Sequence, residues 1–190
     1  MNILDTPVAD LKIVQSLPHR DARGAFVRLF CTQELQPLLG NRQIAQINHS
    51  KTSHAGTVRG LHFQRPPHAE MKMVRCLPCR VWGVAVDLRS GSPTFVQWHA
   101  QELAQDDAQM PVIPEGFAHG FQALEPESEL LYLDTACYKP PSDGGLRHDD
   151  PRLAIAWPLP PQDVSPGDLA HPLLSADFTE VALSNADIAA

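Results

Sequence analysis

Four polar side chains stand inside strand-like runs where apolar residues would be the default. His62 lies between Leu61 and Phe63 in "RGLHFQRPP", Lys72 in "MKMVRC", His119 in "GFAHGFQA" and Tyr132 in "ELLYLD". Taken singly, each reads as an ordinary core, rim or surface residue. Brought to one cavity, they offer an imidazole base, a fixed cation and a phenolic acid. That set suits removal of a proton next to a carbonyl. The base takes the carbon-bound proton, the cation stabilises the enolate oxygen, and the phenol returns a proton from another side. Return to the opposite face inverts the carbon. A neutral imidazole is well matched to the base role near pH 7.

Metal chemistry competes for the same residues. "PEGFAHG" resembles the Pro-x-Gly-x-x-His half of a cupin metal motif, but the other half calls for His-x-His followed by a glutamate. Here the text is "HFQ", with Gln64 in the second imidazole's place and Glu70 at a loose spacing. An amide is a poor substitute for imidazole at a transition metal. Proton transfer is therefore the stronger reading, and no metal is expected. The Cys76–Cys79 pair in "CLPC" lacks the second pair that a structural zinc site requires. Strand-like sequence flanks it on both sides, unlike a thioredoxin-type motif. Reduced thiols beside a turn are expected.

The elements that must carry these side chains are short β-rich runs: "GTVRGLHFQ", "MKMVRCL", "RVWGVAVDLR", "TFVQWHAQEL", "QMPVIP", "HGFQAL" and "ELLYLDTACY". Turn signals such as "RSGSP" and "PEGF" separate them. Many short strands at this spacing predict a mainly β fold, an antiparallel sandwich or barrel. The Pro-rich segment from Trp157 onward reads as a wrap with short helical turns. Alternation along a strand sorts the side chains by face. Leu130, Tyr132 and Asp134 share one face, as do Lys72, Val74 and Cys76, and Phe117, His119 and Phe121. Strict alternation puts Arg59 and His62 on opposite faces. They serve one site only if the strand bulges, and Gly60 is the natural place for that.

Composition narrows the partners. A chain of 190 residues fits one domain with a sizeable core. A net charge of -7 and the lack of a basic tract argue against nucleic acid and anionic lipid. No stretch approaches the roughly 20 apolar residues of a membrane span. "MNILDTPVADLK" carries acids and lacks a signal peptide's apolar run, so a cytoplasmic location is expected.

Together, "VRGLHFQ", "KMVRC", "VWGVAVDLRSGSPTF", "VIPEGFAHGF" and "LLYLDTACYKP" resemble the dTDP-4-dehydrorhamnose 3,5-epimerase family. "DARGAFVRLF", "QINHSKT" and "RHDDPRLAIAWP" extend the resemblance over roughly residues 8 to 175. It implies an antiparallel jelly-roll (cupin-like) barrel with short peripheral helices, a homodimer, and neither metal nor organic cofactor. It also implies one domain over 1–190, with N-terminal strands (1–55) at the dimer interface, a barrel core (56–140) and a C-terminal wrap (141–190). The implied substrate is a nucleotide-diphosphate sugar such as dTDP-4-keto-6-deoxy-D-glucose, inverted at C3 and C5 beside its C4 ketone. By position, His62 matches the base, Tyr132 the acid, Asp168 the carboxylate paired with the base, and Lys72 the lysine near the ketone. Arg59 and His119 match sugar- or diphosphate-contacting positions, and Arg23 a diphosphate contact. Phe26 and Tyr138 match aromatics that pack on the nucleobase, and Gln46 and Asn48 its amide contacts.

Departures from the family pattern leave some choices open. Arg28 stands near the nucleobase position where a glutamate is common, so a CDP- or GDP-linked sugar competes with the dTDP-linked one. Cys137 and Leu133 replace a usual tyrosine and lysine, and Cys79 a turn glycine. Inversion at C3 or C5 alone, a metal-dependent cupin enzyme and a non-catalytic sugar-nucleotide binder are the rival functions.

Overall fold

Period-2 patterning of apolar residues folds the chain into two antiparallel sheets that share a core. The computed structural model describes residues 1–174, 178 and 181–183. Its strands are β1 (Asn2–Asp5), β2 (Lys12–Gln15), β3 (His19–Asp21), β4 (Gly24–Phe26), β5 (Gln46–Thr52), β6 (Val58–Gln64) and β7 (Lys72–Cys76), followed by β8 (Arg80–Asp87), β9 (Trp98–Ala104), β10 (Gln109–Ile113), β11 (Phe117–Ala123), β12 (Ser128–Asp134) and β13 (Asp143–Gly145). Two short helices, α1 (Thr32–Leu39) and α2 (Pro166–Ala170), lie outside the sheets. One sheet has the order β1-β2-β10-β7-β12-β5, the other β13-β6-β11-β8-β9, and β3-β4 forms a separate hairpin. This is the expected antiparallel jelly roll.

The central strands of each sheet bury residues on both faces, and that sorting positions the site. Val74 and Leu130 from the first sheet pack against Val81, Ala85, Phe117 and Phe121 from the second. On the outer side of the first sheet, Met73 and Leu133 meet Leu35 and Leu39 of α1. On the outer side of the second, Leu61, Phe63, Val84 and Val86 lie under Leu146, Leu153 and Ile155 of the C-terminal segment. The apolar neighbours of His62 thus anchor its strand beneath that segment while the imidazole turns the other way. Leu61 and Phe63 are essentially fully buried.

Gly60 supplies the expected irregularity. His119 pairs with His62 but Phe121 pairs with Arg59, so three steps along β6 match two along β11. The extra residue brings Arg59 and His62 to one side, and both line the same cleft. Gly60 has φ +109°, and an added Cβ would lie 2.7 Å from the His119 carbonyl oxygen and from the Gly120 Cα. Only glycine fits. Gly60→Ala is expected to cost about 1–3 kcal/mol by overpacking against immovable backbone. A urea-unfolding midpoint equal to wild type would count against this assignment.

Two local expectations are corrected. "TFVQ" forms a turn rather than the start of β9, because Ser92 and Thr94 donate hydroxyl bonds of 2.6 and 2.7 Å to the fully buried carboxylate of Asp87. Cys76 and Cys79 are joined as a disulfide rather than standing as free thiols. The tight β7–β8 turn places their Cα atoms 5.7 Å apart, within the range that a disulfide spans.

Candidate active site

A cleft of about 890 Å3 opens between the sheets, within the usual size range for small-molecule sites. One wall carries Arg59 and His62 on β6 with His119 on β11. The other carries Lys72 on β7, Tyr132 and Asp134 on β12, and Gln46 and Asn48 on β5. The base and acid candidates therefore come from different sheets. Lys72 stands on the acid's wall, with its Nζ 3.4 Å from the His62 carbonyl oxygen.

Asp168 completes the constellation from 106 residues downstream. His62 Nε2 and Asp168 Oδ1 are 2.6 Å apart. Asp168 sits on α2, whose N-cap Ser165 accepts the Asp168 N–H at 3.0 Å. The N–H of Gly60 donates to Asp168 Oδ2 at 3.3 Å, so the bulge also steadies the carboxylate. Burial would raise the Asp168 carboxyl, but the His62 bond, the His62 charge, Gly60 and Ser165 outweigh it and hold the group below its ordinary value. An ionised carboxylate only accepts. His62 Nε2 thus carries the proton, and Nδ1 keeps the free lone pair in the neutral ring.

Burial sets the charge states around this dyad. It raises the Tyr132 phenol above its usual value, with Asp134 adding and Arg59 opposing, so the phenol stays protonated. His119 is pushed down to about 3 by burial and by the charges of Lys72 and His62, which keeps its ring neutral. Its ring lies edge-on to Tyr132, with centroids 6.0 Å apart. Lys72 pairs with Glu70 at 2.9 Å. Burial raises both the Glu70 and Asp134 carboxyls, against the pull of Lys72 on each.

The remaining sequence-derived candidates divide into two groups. Inside the cleft, Asn48 and Gln46 donate to Asp134 Oδ2 at 2.9 and 3.3 Å, and Gln46 also accepts the Tyr138 N–H at 3.0 Å. Tyr138 stands exposed at the rim. Arg59 donates to Thr52 Oγ1 at 3.2 Å and to the Lys51 carbonyl at 3.3 Å. Outside the cleft of a single chain lie Arg23, Phe26 and Arg28. Arg23 is held by Asp21 on the β3–β4 hairpin, Phe26 is 72% exposed, and Arg28 pairs with Glu34 of α1.

Sequence reasoning did not single out Glu70 and Asp134 as the groups flanking Lys72, nor Ser165, nor His171. The shared face of Tyr132 and Asp134 was a usable signal for Asp134. Nothing in the periodicity marks the α2 residues. The cupin-style donor set does not assemble, since Glu70 is tied to Lys72 and Gln64. Among the described residues, the histidine and acid donors that do gather are His62, Asp168 and His171.

A jelly roll with an imidazole–carboxylate dyad and a protonated phenol on facing walls, beside a lysine, has the groups for proton transfer at a carbon next to a carbonyl, the chemistry of an epimerase-type isomerase. The family model described as dTDP-4-dehydrorhamnose 3,5-epimerase matches residues 5–176. A dTDP-4-dehydrorhamnose 3,5-epimerase of Salmonella typhimurium is 40% identical over 178 residues, covering 92% of this chain and 96% of its own. Among solved structures, the enzyme of that name from Bacillus anthracis, with TDP and PPi bound, superposes with a TM-score of 0.87. It shares 35% identity and is covered over 91% of this chain and 99% of its own. An epimerase from Legionella pneumophila, in complex with dTDP-4-keto-L-rhamnose, gives a TM-score of 0.85 at 38% identity, with 90% and 92% covered. The chain belongs to the dTDP-4-dehydrorhamnose 3,5-epimerase family.

Proposed function

We propose that the protein inverts C3 and C5 of dTDP-4-keto-6-deoxy-D-glucose, with His62 as base, Tyr132 as acid, Asp168 orienting the base and Lys72 stabilising the enolate. The observation that carries this reading is the 2.6 Å His62–Asp168 contact on the wall facing Tyr132. Neutral His62 takes the proton from C3 or C5 through Nδ1, and the charge formed on the ring is offset by Asp168. Negative charge moves to the C4 oxygen, where the Lys72 ammonium stabilises it. The Tyr132 hydroxyl then protonates the carbon from the opposite face. The cytoplasmic location belongs to the same reading; among the described residues, no helix is long and apolar enough to cross a membrane.

Incubation of the enzyme with this substrate in D2O, read by NMR, is expected to place deuterium at both C3 and C5. Enrichment at C3 alone would assign a single-carbon epimerase. No exchange with dTDP-, CDP- or GDP-linked sugars would sink the class.

A homodimer is part of the reading. Arg23 and Phe26 match substrate-contacting positions yet stand on an exposed hairpin, and Ile47 is exposed on β5, an edge strand. Two copies joined along this edge, each hairpin reaching the other's cleft, bring those residues to a substrate. Light scattering is expected to give twice the chain mass, and Arg23→Ala to raise KM with kcat little changed. A monomer at working concentration contradicts it.

A further inference from the structure

We propose that His62, Asp168 and His171 form a site for a divalent transition-metal ion, with Zn2+ the best fit, whose occupancy switches the enzyme off. One nitrogen of each imidazole and one oxygen of the carboxylate all lie within 4.8 Å of one another. The two rings meet edge to face, with centroids 5.6 Å apart. This geometry is built by the fold. Gly145 is the direct cross-strand partner of His62, and the His171 ring occupies the space that a Cβ on Gly145 would need. A side chain at 145 would push the second imidazole away from the first.

The donor set has the right chemistry. Two imidazoles and a carboxylate suit a borderline ion, and three protein ligands leave a fourth position for water. Asp168 is already buried and steadied by the Gly60 amide, so it supplies an anchored anionic donor. A tetrahedral ion with bonds of about 2.0–2.1 Å holds its donors roughly 3.4 Å apart. Reaching that spacing needs His62 and Asp168 to part from their 2.6 Å contact and the His171 nitrogen to draw in from within 4.8 Å.

Binding has a defined consequence for the base. The ion takes the Nε2 lone pair of His62, and the proton held there moves to Nδ1. Nδ1 then has no lone pair to accept a proton from carbon. Binding as such stands independently of the epimerase reading, whereas the inhibitory effect rests on it.

The test uses the 190-residue chain without an affinity tag. Equilibrium dialysis against buffered Zn2+ is expected to show one tight site per chain. His171→Ala and His171→Gln should each weaken it by at least about 10–100-fold, the range seen even for losses outside the ligand shell. Far-UV circular dichroism checks that both variants are folded. In the D2O exchange assay, Zn2+ should inhibit the parent enzyme reversibly on chelation, and His171→Ala should shift the inhibition midpoint by the same factor as its affinity. Zinc bound equally tightly by folded variants would assign the ion to thiols or other histidines and overturn the site. Full occupancy without inhibition of an active enzyme would overturn the switch. A protein that binds Zn2+ through His171 but exchanges no proton from any substrate would instead indict the epimerase reading.

Discussion

His62→Ala is expected to lower deuterium exchange at C3 and at C5 together, by about 10²–10⁴-fold, the usual contribution of a positioned general base. The effect is large because His62 Nε2 is held on the Asp168 carboxylate at 2.6 Å, which leaves Nδ1 for the substrate proton. His119, the other imidazole deep in the cleft, is buried and edge-on to Tyr132 on the wall that it faces. With its value pushed down to about 3 it cannot hold a proton taken from carbon near pH 7. The substitution removes one hydrogen-bond partner of Asp168, keeping the Gly60 amide, and leaves Leu61 and Phe63, which anchor the strand, in place. Stability should therefore change much less than activity. Single-turnover NMR in D2O reads the result, with urea unfolding as the control. Exchange retained at either carbon would show that a second base serves it.

Tyr132→Phe is expected to separate exchange from inversion. The phenol is protonated at neutral pH because burial raises it, so its role is to donate. Phenylalanine keeps the ring that meets His119 and removes only the hydroxyl. His62 still forms the enolate, and its half-exposed ring trades the proton with solvent before returning it to the face it came from. Deuterium should then enter the substrate with retention, while formation of inverted product falls by about 10²–10⁴-fold. Comparing label in recovered substrate with label in product measures this directly. If Tyr132→Phe abolished label in both pools as fully as His62→Ala, Tyr132 would be needed for deprotonation too, and the division of labour would be wrong.

The two variants probe residues that differ little in how visible they are in sequence. His62, Lys72 and Tyr132 are each a polar residue in a strand of otherwise apolar pattern. Period-2 alternation assigns Lys72 and Tyr132 to the same inner faces as Val74 and Leu130, and the structure agrees. Arg59 shows where alternation fails. Its place beside His62 depends on a bulge that the sequence flagged only through Gly60, because a bulge is a property of two paired strands. Arg23, Phe26 and Arg28 show a different limit, since a single chain does not bring them to the cleft.

What residue pattern and periodicity determined is local: most strand runs and turns, the face each side chain takes where no bulge intervenes, and the chemical types available. These follow from backbone geometry over a few residues. Only the family resemblance reached further, to the jelly roll and to Asp168 beside His62. The tertiary structure decided which faces meet. It set His62 and Tyr132 on facing sheets, joined Asp168 to His62 across 106 residues, and seated His171 in the notch left by Gly145. None of these pairings has a period or a spacing to read. They arise because burying the outer face of the second sheet folds the C-terminal segment over Leu61 and Phe63, and that packing carries α2 to the edge of the cleft.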